Sequence, residues 1–420
     1  MSKIQVNDIV NHFDTGAPDC PKGLNVTGTG VTANSLNVSG VSTISNVVVG
    51  GATTELIVNG DARVTGILTV GTASVTLNGN DGTISGINTV NGVSFPSAGP
   101  LSNRNIIING ACRLAQRATS SSGNTSSGYY TVDRIRVANS SLGTWTYTQE
   151  SDGPPGFSKS WKAECTTADA SPSASDFMLM NIAIEGQDLQ VLDFGNSTAK
   201  SSTISFWVKS NKTGSASFEM RQKDNSDRTV SFGYTINTAD TWEYKVINIP
   251  ADTAGLFDDN TGPGIRLGWW LNSGSNYTTG SHATTWEADD NADRNPSNLG
   301  VGGAVNDYFQ ITGIQWELGN QATPFEHRSL GDELIKCQRY YYSQGSEGTF
   351  YGQRYSTSNS FVCKDLPVTM RADPATVTYT HGGGGEVSAT SYTRASRFQI
   401  YVTGDTTVNV TDLRMDAEIT

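Results

Sequence analysis

Several kinds of residue are scarce in this 420-residue chain, and each scarcity removes a class of function. There are four histidines (His12, His282, His327 and His381) and no HExxH motif, which argues against a histidine-built metal site. The five cysteines, Cys20, Cys112, Cys165, Cys337 and Cys363, are far apart and form no CxxC pair. Neither a disulfide framework nor a zinc knuckle is supported, and free thiols in a reducing cytoplasm are expected. Basic residues are outnumbered, 28 Lys and Arg against 40 Asp and Glu, for a formal charge of −12. That balance repels a phosphate backbone, so no nucleic-acid partner is expected. No apolar stretch follows a basic start, and no apolar run reaches the ~18 residues of a membrane span, so neither a signal peptide nor membrane insertion is expected. Finally, residues 24–79 contain no aromatic residue at all.

What that stretch does contain is a short unit that recurs: LNVTG from Leu24, LNVSG from Leu36, LIVNG from Leu56, LTVG from Leu68 and VTLNG from Val75. Each is an apolar-x-apolar strand closed by Gly or Asn-Gly, residues that tolerate the positive φ of a tight turn. A strand with so thin an apolar face cannot bury itself within one chain. It either stacks on neighbouring repeats or wraps with two other copies into a trimeric β-repeat shaft. A Gly/Ser/Thr linker is the plainer alternative, but linkers seldom place Leu or Val at alternate positions.

The segment GVSFPSAGP, Gly92 to Pro100, ends this pattern with two prolines, and aromatic residues become frequent beyond it. The stretches STISFWVKS, SASFEMRQK, WEYKVINIP, GIRLGWWLN and DYFQITGIQWELG read as strands of an aromatic-cored sandwich. In the last, the apolar set changes parity across Gly313, which predicts a β-bulge there. After TPFEHR, Ser329 is placed to cap a short helix with Asp332 in its first turn and Leu330, Leu334, Cys337 and Tyr341 on one stripe. Short strands then resume to the end. The fold class is therefore all-β, organised as 1–23 anchor, 24–100 shaft, 101–328 aromatic-cored β-sandwich, 329–342 helical hinge and 343–420 small C-terminal β-domain.

Three stretches carry a family resemblance. IQVNDIVNHFDTGAPDCPKGLNVTG resembles the start of fibre-type virion proteins of marine tailed bacteriophages. NRNIIINGACRLAQRATS with GYYTVDRIRV, and FQITGIQWELGNQATPFEHRSLGDELIKCQRYYY, resemble the two ends of a jelly-roll module of phage tail fibres akin to carbohydrate-binding modules. LPVTMRADPATVTY is similar to the C-terminal domain that often follows it. The resemblance implies a receptor-binding tail-fibre appendage whose 101–328 sandwich is a jelly-roll β-sandwich, located in the virion and made in the host cytoplasm. Its N-terminus would meet a phage tail, baseplate or capsid protein. Nothing in the resembling motifs marks an enzyme active site.

Sugars offer C–H faces that stack on aromatic rings and hydroxyls that need fixed polar partners. In GIRLGWWLN, alternation puts Ile265, Leu267, Trp269 and Leu271 on one face and Arg266 and Trp270 on the other. The same reading leaves Glu219 and Arg221 opposite Phe218 and Met220, and Trp207 opposite Phe206. Trp207, Glu219, Arg221, Arg266 and Trp270 are thus expected to share one face and contact glycan. The same alternation equally serves a face packed beneath a loop or against another subunit. In EADDNADRNPSN, Glu287, Asp289, Asn291 and Asp293 set oxygen ligands at alternate positions, as a structural Ca²⁺ ion prefers, although a solvated acidic loop has the same composition. No GxSxG or GxxxxGK[ST] occurs. The sequence reading is a non-enzymatic homotrimeric fibre that attaches to host-surface glycan, against a purely structural appendage or, less favoured, a polysaccharide-degrading enzyme.

Overall fold

A computed structural model describes residues 102–419, except 225–226, 346–347, 355, 358, 383–386, 390–392 and 404–407, together with five short strands between 67 and 94. Those five are β1 (Ile67–Thr69), β2 (Thr76–Asn78), β3 (Thr83–Ser85), β4 (Thr89–Val90) and β5 (Val93–Ser94). Strands β4 and β5 pair antiparallel with Val90 opposite Val93, across Asn91-Gly92. The expected anchor and the first repeats lie outside the described residues. All described residues from 102 onward belong to one compact unit.

That unit is all-β apart from one α-helix and a few 3₁₀ turns. Its larger part is a sandwich of two antiparallel sheets. The strands are β6 (Ser120–Asn124), β7 (Gly128–Tyr129), β8 (Arg136–Ser140), β9 (Thr144–Glu150), β10 (Ser160–Thr167), β11 (Phe177–Glu185), β12 (Ser202–Ser210), β13 (Gly214–Gln222), β14 (Arg228–Ile236), β15 (Glu243–Ile249), β16 (Pro263–Ser273), β17 (Glu287–Ala288) and β18 (Tyr308–Leu318). The six-stranded sheet runs β15-β12-β18-β10-β9-β6, and the seven-stranded sheet runs β17-β14-β13-β16-β11-β8-β7. Neighbours such as β12 and β18 are distant in sequence, as expected of a jelly roll.

Period-2 alternation builds the core. Ile204, Phe206 and Val208 from one sheet meet Phe218, Met220, Leu267, Trp269 and Leu271 from the other, all fully buried. Phe206 lies edge-on to Trp269 at 5.6 Å, a favoured aromatic arrangement. The expected bulge is present: Ser205 pairs with Gln315 but Trp207 with Thr312, and Gly313 adopts φ +62°. This one extra residue lets Phe309 and Ile311 before it, and Ile314 and Trp316 after it, all face the core.

Helix α1 (Leu330–Gln338) begins as its sequence predicts, with the Ser329 hydroxyl accepting from the Asp332 amide at 3.1 Å. The predicted apolar stripe is only half realised, because Cys337 is buried while Leu330 is exposed. Beyond it come β19 (Tyr341–Ser343), β20 (Phe350–Tyr351), β21 (Gln353–Arg354), β22 (Asn359–Asp365), β23 (Thr376–Gly382), β24 (Val387–Ala389), β25 (Arg397–Thr403) and β26 (Asn409–Asp416). They make two four-stranded sheets around a second core that includes Val362, Phe398, Ile400, Val410 and Met415.

These small sheets are bolted to the sandwich. Arg134, buried and at φ +71°, donates to Glu418 and to the Ala183 carbonyl and lies 3.4 Å from the Tyr340 ring centroid. Arg117 pairs with Asp416 at 2.8 Å, Arg339 with Glu185 at 2.7 Å, and Arg371 donates to the Thr261 carbonyl at 2.9 Å. Of the cysteines, Cys112, Cys165 and Cys337 are buried free thiols and Cys363 is an exposed one, while Cys20 lies outside the described residues.

Candidate functional site

The five residues expected to share a face divide between the two sheets. Trp207 lies on the outer face of the six-stranded sheet, whereas Glu219, Arg221, Arg266 and Trp270 lie on the outer face of the seven-stranded one. The second group is also closed off. Trp270 is 1% exposed, packed with Leu179, Phe177 and Tyr277, and the Arg294 guanidinium sits 5.0 Å over its ring. Arg294 in turn donates two 2.8 Å bonds to Glu219, itself 3% exposed. Arg221 is engaged by Asp289, and Arg266 stands opposite Arg221 across the strand pair. Alternation therefore placed Trp270 on the correct side of its sheet, but the segment carrying Tyr277 and Arg294 folds back over that side. An exposed Trp270 platform is thereby overturned.

The Ca²⁺ ligand set is corrected by the same loop. Among the described residues, no three His, Cys, Asp or Glu side chains converge as a metal site. Asp289 accepts from Arg221 at 2.8 Å and from Thr229 at 2.6 Å, and Asp293 accepts from the Ser281 amide at 2.6 Å. Asn291 accepts from Arg294. Glu287 is raised above the usual carboxylate range, by burial first and then by the neighbouring Asp293 charge. Asp289, Asp293 and Asn291 tie the loop to the sheet, to the Ser281 amide and to Arg294, each through its own partner.

The opposite face is open. Trp207 on β12 and Tyr244 on β15 are cross-strand partners with ring centroids 5.2 Å apart, and Tyr244 is 42% exposed. Beside them, Gly313 lacks the Cβ that would lie 2.8 Å from Phe157 Cζ and 3.0 Å from Trp207 Cδ1. The bulge therefore serves twice: it corrects the core register, and it lets two rings close over bare backbone. Phe157 comes from the β9–β10 loop, whose end is tied to the sheet by Thr312 Oγ1 donating to the Lys159 carbonyl at 2.7 Å. Phe325 and His327 complete the set, at 5.0 Å and 5.2 Å from Phe157.

Phe325 and His327 belong to the segment TPFEHR, which a buried polar network holds on the sheet face. Glu317, 1% exposed, accepts from the Thr323 amide at 2.9 Å, the Thr323 hydroxyl at 2.7 Å and Gln315 Nε2 at 2.8 Å. The Glu326 amide donates to Gln315 Oε1 at 2.7 Å. Burial pushes the Glu326 carboxyl up, but hydrogen bonds from the Asn105 amide and the charge of Arg328 outweigh it and hold it below the usual range. The Glu317, Thr323, Gln315 and Glu326 hydrogen bonds fix the loop in place.

Trp207, Tyr244, Phe157, Phe325 and His327 line a groove of about 550 Å³, within the ~300–1,000 Å³ typical of small-ligand sites. Its walls are aromatic, its floor includes Ser205 and Gly313, and no carboxylate lines it. Sequence reasoning found Trp207 and missed Tyr244, Phe157, Phe325 and His327. For Tyr244 a signal existed, because in WEYKVINIP the buried Ile247 and Ile249 put Tyr244 on the outer side. Phe157, Phe325 and His327 sit on loops, where period-2 alternation has nothing to say.

No protein-family profile matches the chain, and no curated protein matches it. Solved structures that align with it include the enzymatically active domain of tailspike protein 4 of bacteriophage CBA120, at 13% identity and TM-score 0.28 over 51% of this chain and 21% of that one. A family 11 carbohydrate-binding module of a Clostridium thermocellum cellulosomal cellulase aligns at 13% identity and TM-score 0.23, over 51% of this chain and 96% of the module. The xylan-binding domain CBM22-1 from Paenibacillus barcinonensis aligns at 10% identity and TM-score 0.24, over 48% and 94%. This chain thus spans about a fifth of the tailspike structure. Likenesses of this size carry no argument about what the chain does.

Proposed function

We propose that this chain binds glycan, without cleaving it, in the groove lined by Trp207, Tyr244, Phe157 and Phe325. The observation that carries the reading is the Trp207–Tyr244 pair, two rings 5.2 Å apart on an outer sheet face that opens into a groove of ligand size. Rings so placed suit the C–H faces of successive sugar units. The absence of a carboxylate among the lining residues supports binding over hydrolysis, which ordinarily needs two.

The wider role is attachment to a host surface as the head of a homotrimeric virion fibre, anchored through residues 1–23. Support for it lies in the apolar-x-apolar repeats of residues 24–79 and in the resemblance of the quoted motifs to phage fibre proteins. Three weak sites on one rod, and several rods on one particle, would convert a poor single-site affinity into a durable hold.

A glycan array probed with the full-length protein and with Trp207→Ala tests the binding. A single aromatic contact contributes about 0.5–1.5 kcal/mol beyond area burial, so the variant is expected to weaken binding up to roughly tenfold per site. Unchanged binding by Trp207→Ala would remove the groove as the site. Sedimentation tests the fibre: a mass near three chains and an elongated shape are expected, and a compact monomer would contradict it.

A further inference from the structure

The groove does not stop at its aromatic walls. A second depression, lined by Ala111, Arg113, Gly156, Phe157, Ser158 and His327, shares Gly156, Phe157 and His327 with the first. A ligand lying across Trp207 and Tyr244 and continuing past Phe157 therefore reaches Arg113.

Charges along this path are unequally satisfied. Glu333 accepts from the Asn109 amide at 2.6 Å and lies 3.4 Å from Arg328. Glu326 accepts from the Asn105 amide at 3.0 Å and also lies 3.4 Å from Arg328. Arg328 donates in addition to the Ile107 carbonyl at 3.0 Å. Both carboxylates are thus bonded to Arg328 and to backbone amides, and although they line a pocket together with Arg113 neither bonds to it. Arg113 is exposed and, among the described residues, makes no ion pair or hydrogen bond. The second depression contains no acidic side chain that would neutralise it.

We propose that the groove selects an acidic oligosaccharide, with Arg113 receiving a carboxylate or sulfate group on a sugar one or more units beyond the aromatic platform. The proposal rests on the glycan-binding reading above. A guanidinium presents a planar fork of donors that matches either oxyanion in two parallel bonds. The protein as a whole carries a formal charge of −12 and repels an anionic polymer. An arginine at the groove's end to which no described carboxylate bonds is the local feature that would reverse this where the chain is gripped, while the aromatic walls hold the uncharged faces of the sugars.

Matched ligand pairs test it: an oligogalacturonate against its methyl ester, and a sulfated galactan oligosaccharide against its desulfated form, each titrated into the full chain by calorimetry. The charged member of at least one pair is expected to bind about tenfold more tightly, and which pair shows it distinguishes carboxylate from sulfate. Arg113→Gln should abolish that preference while keeping the neutral member's affinity and the melting temperature. Trp207→Ala should weaken both members alike. If neutral members bind as well as charged ones, or if Arg113→Gln keeps the preference, the acidic selectivity is wrong although the groove stands as a glycan site. If no member of either pair binds, the acidic selectivity falls, and an array of other neutral glycans then decides the groove reading separately.

Discussion

Two residues of the same type, Trp207 and Trp270, come from equally clear alternation and end in opposite situations. Trp270 is 1% exposed beneath Arg294, so Trp270→Ala is expected to cost about 3–5 kcal/mol of stability, as truncation of a buried aromatic does, and to leave glycan binding unchanged in the folded protein. Urea unfolding alongside a binding assay separates the two effects. Gly313→Ala makes a complementary case. At φ +62° a side chain costs roughly 1–2 kcal/mol, and the new Cβ would press on Phe157 and Trp207. A lower melting temperature together with weakened binding is expected, where a merely structural glycine would show only the first. Alternation in the sequence told on which side of a strand each tryptophan falls, because that depends on neighbours two residues away. It was silent on cover, because the covering residues Tyr277 and Arg294 arrive from a loop whose path is set by Glu219 and Asp289.

At the scale of elements, strands and caps were legible and loop placement was not. The strand β12 matches the quoted STISFWVKS from end to end, and the bulge in β18 was visible as a change of parity, since both follow from local periodicity. The segment TPFEHR reads only as a boundary in sequence, yet it forms one wall of the groove through contacts with Glu317 and Gln315. Glu317→Ala should therefore free residues 320–328 and cost binding even though Glu317 lines no part of the groove. Faster amide exchange confined to that loop and β18 is the expected signature, and unchanged exchange would show that the network is dispensable. Helix α1 offers a milder test. Gly331 has open space where a Cβ would stand and no positive φ, so Gly331→Ala should stabilise by up to about 1 kcal/mol.

For the molecule as a whole, the junction between sandwich and C-terminal sheets concentrates its buried charge. Burial raises the Asp133 carboxyl to about 6, against two hydrogen bonds from Gln116 and the nearby Arg117. With a folded value above the ordinary 3.8, the folded state takes up a proton first as pH falls. The contribution of this group to stability is then full below about pH 4 and is lost as pH rises through 6. Asp133→Asn should flatten the unfolding free energy between those values. Next to it, Arg134 and Glu418 form a buried pair, and removing either partner alone is expected to cost about 3–5 kcal/mol. This pair also has a consequence in time. Its members are 284 residues apart, so at roughly 5–20 residues per second Arg134 leaves the ribosome about 15–60 s before its partner. Until then a guanidinium destined for the interior, in a left-handed backbone conformation, has no counter-charge. A nascent chain can assemble its sandwich strands early, but it closes this junction only after Glu418 has emerged. Chains that stop before Glu418 would carry an exposed seam that proteases and chaperones can tell from the folded protein.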